Sequence, residues 1–218
     1  LNSHQFYGHT VDFTGRISSN PFMQVHWSYD VPKIPTVNAS ATFRWANMDR
    51  LGFGSNNLSL NYFCATQDVY LSHMKWRQFD IKGGLRNEIF DIRNIKSSQI
   101  IGDYDFDQLT NDFVSMFLDA RTDTFDDGYF PSKGIMAGLS YAWTLGGFPH
   151  RFNNFHSLEA DVRGVISFMD DVCLTPYFST RMLFGKEIPV AYFNAIGGFV
   201  PGRYVEQQIP FVGITNLV

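Results

Sequence analysis

No stretch of this 218-residue sequence approaches the ~18 consecutive apolar residues of a membrane-spanning helix, so a helical membrane protein is excluded. No run of Lys or Arg occurs, and the net charge of −4 leaves no basic face of the kind a nucleic acid requires. Cysteine is nearly absent. Cys64 and Cys173 are too few for a disulfide scaffold and have no C-x-x-C spacing, so neither stapling nor a structural zinc site is expected. Each sits in an apolar, strand-like context that suits a packed or lipid-facing thiol. The six His residues are dispersed without an H-E-x-x-H or other paired spacing, and neither a metal nor a cofactor is expected. The G-x-S-x-G elbow of a serine hydrolase is also missing. Ser140 lies in Gly138-Leu139-Ser140-Tyr141-Ala142, which lacks the second glycine and sits inside an alternating segment. No charged segment followed by an apolar one opens the chain, and the sequence stops within a strand-like segment at Val218. Both ends point to a piece of a longer polypeptide.

What the sequence does have is aromatic side chains, 17% of the total, with 22 Phe, 10 Tyr and 4 Trp. The mean hydropathy is only −0.13. A transmembrane β-barrel gives this combination, because each strand alternates lipid-facing apolar residues with polar lumen residues and aromatic girdles mark both interfaces.

Period-two alternation is the main local signal, since it puts one set of side chains on each face of a strand. Leu158, Ala160, Val162, Gly164, Ile166 and Phe168 form one row, against Ser157, Glu159, Asp161, Arg163 and Ser167. Ile135, Ala137, Leu139, Tyr141, Trp143 and Leu145 oppose small residues. Similar rows run from Val37 to Trp45, from Val11 to Ile17 and from Leu174 to Phe184. Trp45, Trp143, Phe168 and Phe184 fall at the ends of their rows, as interfacial girdles would. Turn signals occupy 19–21, 30–35, 52–57, 122–128, 146–154 and 197–202. The pattern gives about eleven to thirteen strands of about ten residues, the length a tilted strand needs to cross a bilayer. The stretch 86–107 is the least legible, either a strand pair with an acidic loop at 103–107 or a longer excursion. One antiparallel all-β domain over 1–218 is the economical reading.

Three groups of residues are candidates for function. Glu159, Asp161 and Arg163 share a strand face; a carboxylate pair can serve acid–base chemistry, but a barrel lumen neutralised by Arg is the more ordinary setting. No catalytic site is assigned. The segment from Phe125 to Gly134 carries Asp126, Pro131, Lys133 and Gly134 directly ahead of a strand, and Asp126-Asp127-Gly128 suits a turn. The segment from Tyr192 to Phe211 sets Gly197, Gly198, Gly202, Arg203 and Tyr204 in an otherwise apolar loop.

The last two segments together resemble the bacterial surface-antigen superfamily, which includes outer-membrane protein-insertion and two-partner secretion barrels. In that family an aspartate-containing loop leads to a proline–small–basic–glycine step, as in Phe130-Pro131-Ser132-Lys133-Gly134, and a double glycine with an Arg–aromatic pair follows some sixty residues later. Here the glycine precedes the arginine, in Gly202-Arg203-Tyr204, whereas the family's order is Arg-Gly-aromatic. The wording from Gly202 to Phe211 looks most like the barrel that follows patatin-like phospholipase domains. The resemblance implies a sixteen-stranded barrel of which this chain is an incomplete part, located in the bacterial outer membrane. It also implies a loop that folds back into the barrel, where Arg203 needs carboxylate partners such as Glu159, Asp161 or Glu206. The expected partners are the lipid bilayer and either a protein substrate or an N-terminal hydrolase domain. The competing readings are a barrel that anchors, inserts or translocates protein, the membrane domain of a patatin-like phospholipase with its catalytic domain outside this chain, and a soluble β-rich lipid- or ligand-binding protein.

Overall fold

The computed structural model describes residues 4–18, 20–30, 32, 35–53, 56–97, 111–148, 154–169, 172–186, 188–189, 192, 195–196 and 208–209. They form thirteen strands in chain order: β1 His4–Phe6, β2 His9–Arg16, β3 Phe22–Tyr29, β4 Thr36–Phe53, β5 Asn56–Trp76, β6 Phe79–Ser97, β7 Asn111–Asp123, β8 Gly134–Phe148, β9 Phe155–Met169, β10 Val172–Leu174, β11 Tyr177–Gly185, β12 Ala195–Ile196 and β13 Gln208–Ile209. Among the described residues there is no α-helix, and no helix is long and apolar enough to cross a membrane.

The first eleven strands form one antiparallel sheet in which sequence neighbours pair, and the sheet is open among the described residues. β10 and β11 both pair with β9, against 166–169 and 155–163 respectively, so they act as one interrupted strand. Pro176 marks the interruption. It has no N–H to give, but its carbonyl still accepts from Gly164 N at 3.0 Å, so the ladder carries across the break. β12 and β13 pair in parallel as a separate sheet, Ala195 with Gln208 and Ile196 with Ile209.

The registers show why the alternation reads so cleanly in places. Trp27 pairs with Ala39, Ala39 with Val69, Val69 with Leu85, Leu85 with Met116, Met116 with Trp143 and Trp143 with His156. This lateral row lies on one face, and Val69, Leu85, Met116 and Trp143 are all exposed. The opposite face carries Ser40, Asp68, Arg86, Ser115 and Thr144, again in lateral register. A one-residue slip anywhere would exchange the two faces.

Bulges absorb the irregularities. At Leu71/Met74 the extra residue includes His73, whose φ of 59° turns its ring so that Nδ1 lies 2.9 Å from Thr36 Oγ1. At Phe113/Ser115 the partner strand carries Gly146 at φ 117°. The sequence signal for a loop starting at Gly146 is therefore a bulge, with β8 running on to Phe148. Likewise most of the signal over 52–57 lies in two long strands, since β4 reaches Phe53, β5 begins at Asn56 and these two residues pair. Strands β4 to β6 are 18, 21 and 19 residues long, about twice the expected length. Trp45 and Trp143 consequently lie within their strands, while Phe168 and Phe184 lie next to the ends of theirs; all four are exposed. The acidic stretch at 103–107 lies outside the described residues.

Candidate functional site

The polar face of β2 to β11 holds a mixed-sign array of charges. Arg86 and Asp68, cross-strand partners, form a two-pronged pair with Nε to Oδ1 at 2.8 Å and Nη2 to Oδ2 at 3.2 Å. Lys82 Nζ lies 3.0 Å from Asp119 Oδ2. The same cations lean on aromatic faces: Arg86 over Phe117 at 5.1 Å and Lys82 over Tyr70 at 5.7 Å. Glu159 stands between Ser140 and Arg181 in register, with Asp161, Asp119 and Arg121 as its other charged neighbours. Asp161 lies between Gly138 and Ser179, and its Oδ1 occupies the space that a side chain at Gly138 would need, 2.5 Å from where a Cβ would stand. Arg163 lies between Met136 and Tyr177, with its guanidinium 5.9 Å from the Phe125 ring. The structure thus brings Glu159, Asp161 and Arg163 into one patch with Asp119, Arg121 and Arg181. Acids and bases alternate there, which suits a hydrated wall better than a catalytic dyad.

Further along the same face, His26 Nε2 lies 3.2 Å from Asn38 Oδ1 and 3.2 Å from Tyr70 Oη, and Asn38 Nδ2 donates to Ser72 Oγ at 2.8 Å. Thr36 Oγ1, also held by His73, donates to Asp30 Oδ1. The Tyr70 side chain crosses directly over Gly84, where a Cβ would meet Val69 O at 2.2 Å and Tyr70 Cβ at 2.5 Å. Neither cysteine is in a disulfide. They belong to this face and not to the apolar one, Cys64 opposite Phe90 and Cys173 opposite Ser167. Among the described residues no three His, Cys, Asp or Glu side chains are placed to share a metal ion.

The connection between β7 and β8 contains the pre-strand motif. Asp126 is its hub: Oδ1 accepts from Ser132 N at 2.9 Å and Lys133 N at 3.2 Å, and Oδ2 accepts from Ser132 Oγ at 2.6 Å. Asp127 Oδ1 accepts from Tyr129 N and Phe130 N at 2.7 and 3.0 Å. Thr124 closes the base, donating its N–H to Ile135 O and accepting from Ile135 N at its hydroxyl. Gly134 has φ 118°, and a Cβ there would stand 2.4 Å from Thr124 O, so only glycine fits. Pro131 follows the exposed pair Tyr129 and Phe130, each 90% exposed, and the Ser132 carbonyl is tied to β9 by Ser167 Oγ at 2.5 Å.

The hydroxyl of Ser132 first, and then the amide of Lys133, hold the Asp126 carboxyl down to about 2. The charged form therefore organises the loop fully above pH ~4, the ordinary carboxylate value, and this contribution is lost as the pH falls through about 2. Pepsin cleavage at Tyr129-Phe130, measured relative to a free peptide of the same sequence, should rise as the pH is lowered from 4 to 2. Asp126→Ala should be cut readily already at pH 4. Equal cleavage of wild type and Asp126→Ala at pH 4 would contradict the role given to the carboxylate.

The second motif, Gly197, Gly198, Gly202, Arg203 and Tyr204, lies outside the described residues. Its flanks do not: the parallel pairing of β12 with β13 joins 195–196 to 208–209, closing the base of the loop.

Sequence reasoning missed a site at which the most buried side chains collect. Tyr192 is 5% exposed and packs edge-on against Phe90, Phe113 and Phe155, with ring centroids at 5.7, 5.1 and 4.8 Å. Its Oη donates to Glu88 Oε2 at 2.5 Å and its carbonyl accepts from Arg181 Nη1 at 2.9 Å. No pattern in the sequence marks this residue.

With the open antiparallel meander, the two-faced strands and the loop geometry in place, comparison with known families is informative. A family model described as the OMP85 superfamily matches residues 21–217. The chain belongs to that superfamily. No curated protein and no solved structure matches it. Membership in the OMP85 superfamily makes this an outer-membrane β-barrel chain of the surface-antigen type, so the resemblance drawn from the two loop motifs holds at that level.

Proposed function

We propose that this OMP85-superfamily chain forms part of the wall of an outer-membrane barrel that anchors a protein at the membrane or carries one across or into it. The polar face is its lumen and the exposed apolar row its lipid contact. One observation carries this reading. Val69, Leu85, Met116, Leu139, Tyr141, Val162 and Phe178 are exposed on adjacent strands of one face, forming an apolar band too continuous for water. The opposite face keeps its ion pairs and hydroxyls together, as a lumen requires. The two-residue turns at 7–8 and 77–78 lie at the same end of the sheet as the 124–133 connection, and this reading takes that end as the periplasmic one. The end carrying 98–110, 149–154 and the segment after β11 then faces outward.

The narrower reading, a barrel linked to a patatin-like phospholipase, is favoured by the wording of residues 202–211 and differs only in what precedes the barrel. The test is fractionation of the full-length protein. It should enter the detergent phase, sediment with outer membranes and migrate faster on unheated gels than on heated ones. Arg203→Ala should reduce the faster-migrating form if the arginine pairs with lumen carboxylates as proposed, because removing one partner of a buried ion pair is destabilising. Recovery of the wild type from the aqueous phase without detergent would overturn the barrel reading. An unchanged gel shift in Arg203→Ala would overturn the role of that arginine alone.

A further inference from the structure

We infer that the tip of the β5–β6 hairpin, from Trp76 to Phe79, is a binding site for the phosphate of an anionic phospholipid, with the Arg77 guanidinium as the group that takes it. This rests on the barrel reading and its orientation, which put the tip in the inner leaflet of the outer membrane.

Register decides which way the tip faces. β6 pairs with β7 from Asp80 to Phe90 without a shift, so Phe79, Ile81 and Gly83 fall on the apolar face of Leu85. Met74 and Trp76 pair with Ile81 and Phe79 and lie on that face too. Strict alternation from Val69 and Leu71 would put His73 and Lys75 there and turn Trp76 into the lumen. The bulge between Leu71 and Met74 makes the exchange, and His73, at φ 59°, fastens it to Thr36 Oγ1 at 2.9 Å. Lys75 is thereby turned inward, where it pairs in register with Asp80, itself opposite Arg121. Trp76 is turned outward, 61% exposed and stacked on Phe79 at 6.2 Å.

Arg77 follows at φ 57°, a turn position where glycine or asparagine is the ordinary residue. Its guanidinium stands 5.5 Å over the Trp76 ring, on the side of the apolar face. Among the described residues no carboxylate pairs with it. The β1–β2 turn at the same end repeats the device with Tyr7, at φ 48° and 84% exposed. A bare turn has no use for a long cation or a phenol in a left-handed conformation, since glycine closes it with less strain. A headgroup layer has a use for both, because aromatic rings settle at its depth and a guanidinium takes a phosphate through two N–H groups. The apolar face continues through Leu85, Gly83, Ile81 and Phe79 up to the turn, so acyl chains reach the ring that carries the guanidinium. That continuity selects a lipid phosphate over a free one.

The experiment is retention of phosphatidylglycerol by the full-length protein in detergent micelles, read by native mass spectrometry, with folding of each variant checked by the gel shift. Arg77→Gln should weaken retention by about fivefold, the usual effect of one basic residue at an anionic membrane surface. Lys75→Gln removes the same charge two residues away on the lumen face and should retain lipid as the wild type does. Arg77→Gly should weaken retention as much as Arg77→Gln while raising the denaturant midpoint of unfolding, because it relieves the turn. Undiminished retention in folded Arg77→Gln would overturn the site, and equal losses in Arg77→Gln and Lys75→Gln would reduce it to net charge. A fall of both midpoint and retention in Arg77→Gly would make the arginine structural and overturn the site as well. Displacement of the lipid by millimolar inorganic phosphate would overturn the choice of a lipid phosphate. A wild type that shows no gel shift would instead count against the barrel reading, and the two failures are therefore distinguishable.

Discussion

Gly84→Leu is expected to abolish the faster-migrating folded form of the protein. A Cβ at this position would stand 2.2 Å from Val69 O and 2.5 Å from Tyr70 Cβ, both belonging to the paired strand β5. Neither atom is the end of a flexible side chain, so the strain must be relieved by prising β5 from β6 or by expelling Tyr70. Expulsion breaks the Tyr70–His26 hydrogen bond, the contact of the ring with Phe117 at 6.0 Å and the ammonium contact with Lys82. Overpacking alone costs about 1–3 kcal/mol for small additions, and four carbons in a closed space exceed that range. Gly84→Ala should therefore already lower the folded fraction. The neighbouring Gly83 provides the control: a Cβ there meets the tip of Leu118 at 3.1 Å and Phe117 O at 3.1 Å, on the opposite face. Gly83→Ala should be distinctly milder, and equal losses from the two alanine variants would show that the Tyr70 crossing is not the cause.

Phe113→Ala should lower stability by about 3–5 kcal/mol, as for large aromatic truncations in closed cores. Phe113 is 1% exposed and touches both Phe90, at 6.0 Å, and Tyr192. The cavity left behind is lined by groups from three strands and one loop residue, which cannot all close in together. Phe13→Ala makes the contrast, because Phe13 is 52% exposed on the apolar face and its truncation exchanges one apolar surface for another in lipid. Unfolding by denaturant in detergent or vesicles should separate the two by several-fold in midpoint shift. Similar shifts would mean that the cluster around Tyr192 contributes no more than the lipid face.

The contrast between Phe13 and Phe113 also explains what could be read from the sequence. Where the rule of apolar outside and polar inside holds, as in β8, β9 and β11, the alternating rows identified the strands and their faces, and Glu159, Asp161 and Arg163 fell on the polar side together. The rule breaks in β6 and β7. There Phe90, Phe113 and Phe117 point inward, while Asn87 and Asp91 share the outward register of Leu85. That exchange obscures 86–97, and its cause is the cluster of Phe90, Phe113 and Phe155 around Tyr192, which lies about a hundred residues away in the chain. Local periodicity has no access to such a contact. The Gly84–Tyr70 crossing is hidden for the same reason, since it is a property of register and not of either residue. The Asp126 loop was legible as a turn because Asp and Gly carry their geometry with them. The particular bonds to Ser132 and Lys133 follow from closure of the loop by Thr124 and Gly134.

The great length of β4, β5 and β6 has a mechanical consequence. Beyond their pairing with β3 and β7, these three strands continue together by about 25 Å. The three strands are joined there by two ladders, each interrupted once, at Met48/Leu51 and at Ser59/Asn61, and still form a blade stiffer than a loop of the same length. A force applied sideways at its tip is delivered to the rim as torque, where a slack loop of the same length would absorb it. The blade roots in the strands that carry Tyr70, Gly84, Arg86 and Glu88. With the proposed orientation, a load arriving from outside the cell is transmitted to the part of the wall that packs against Tyr192.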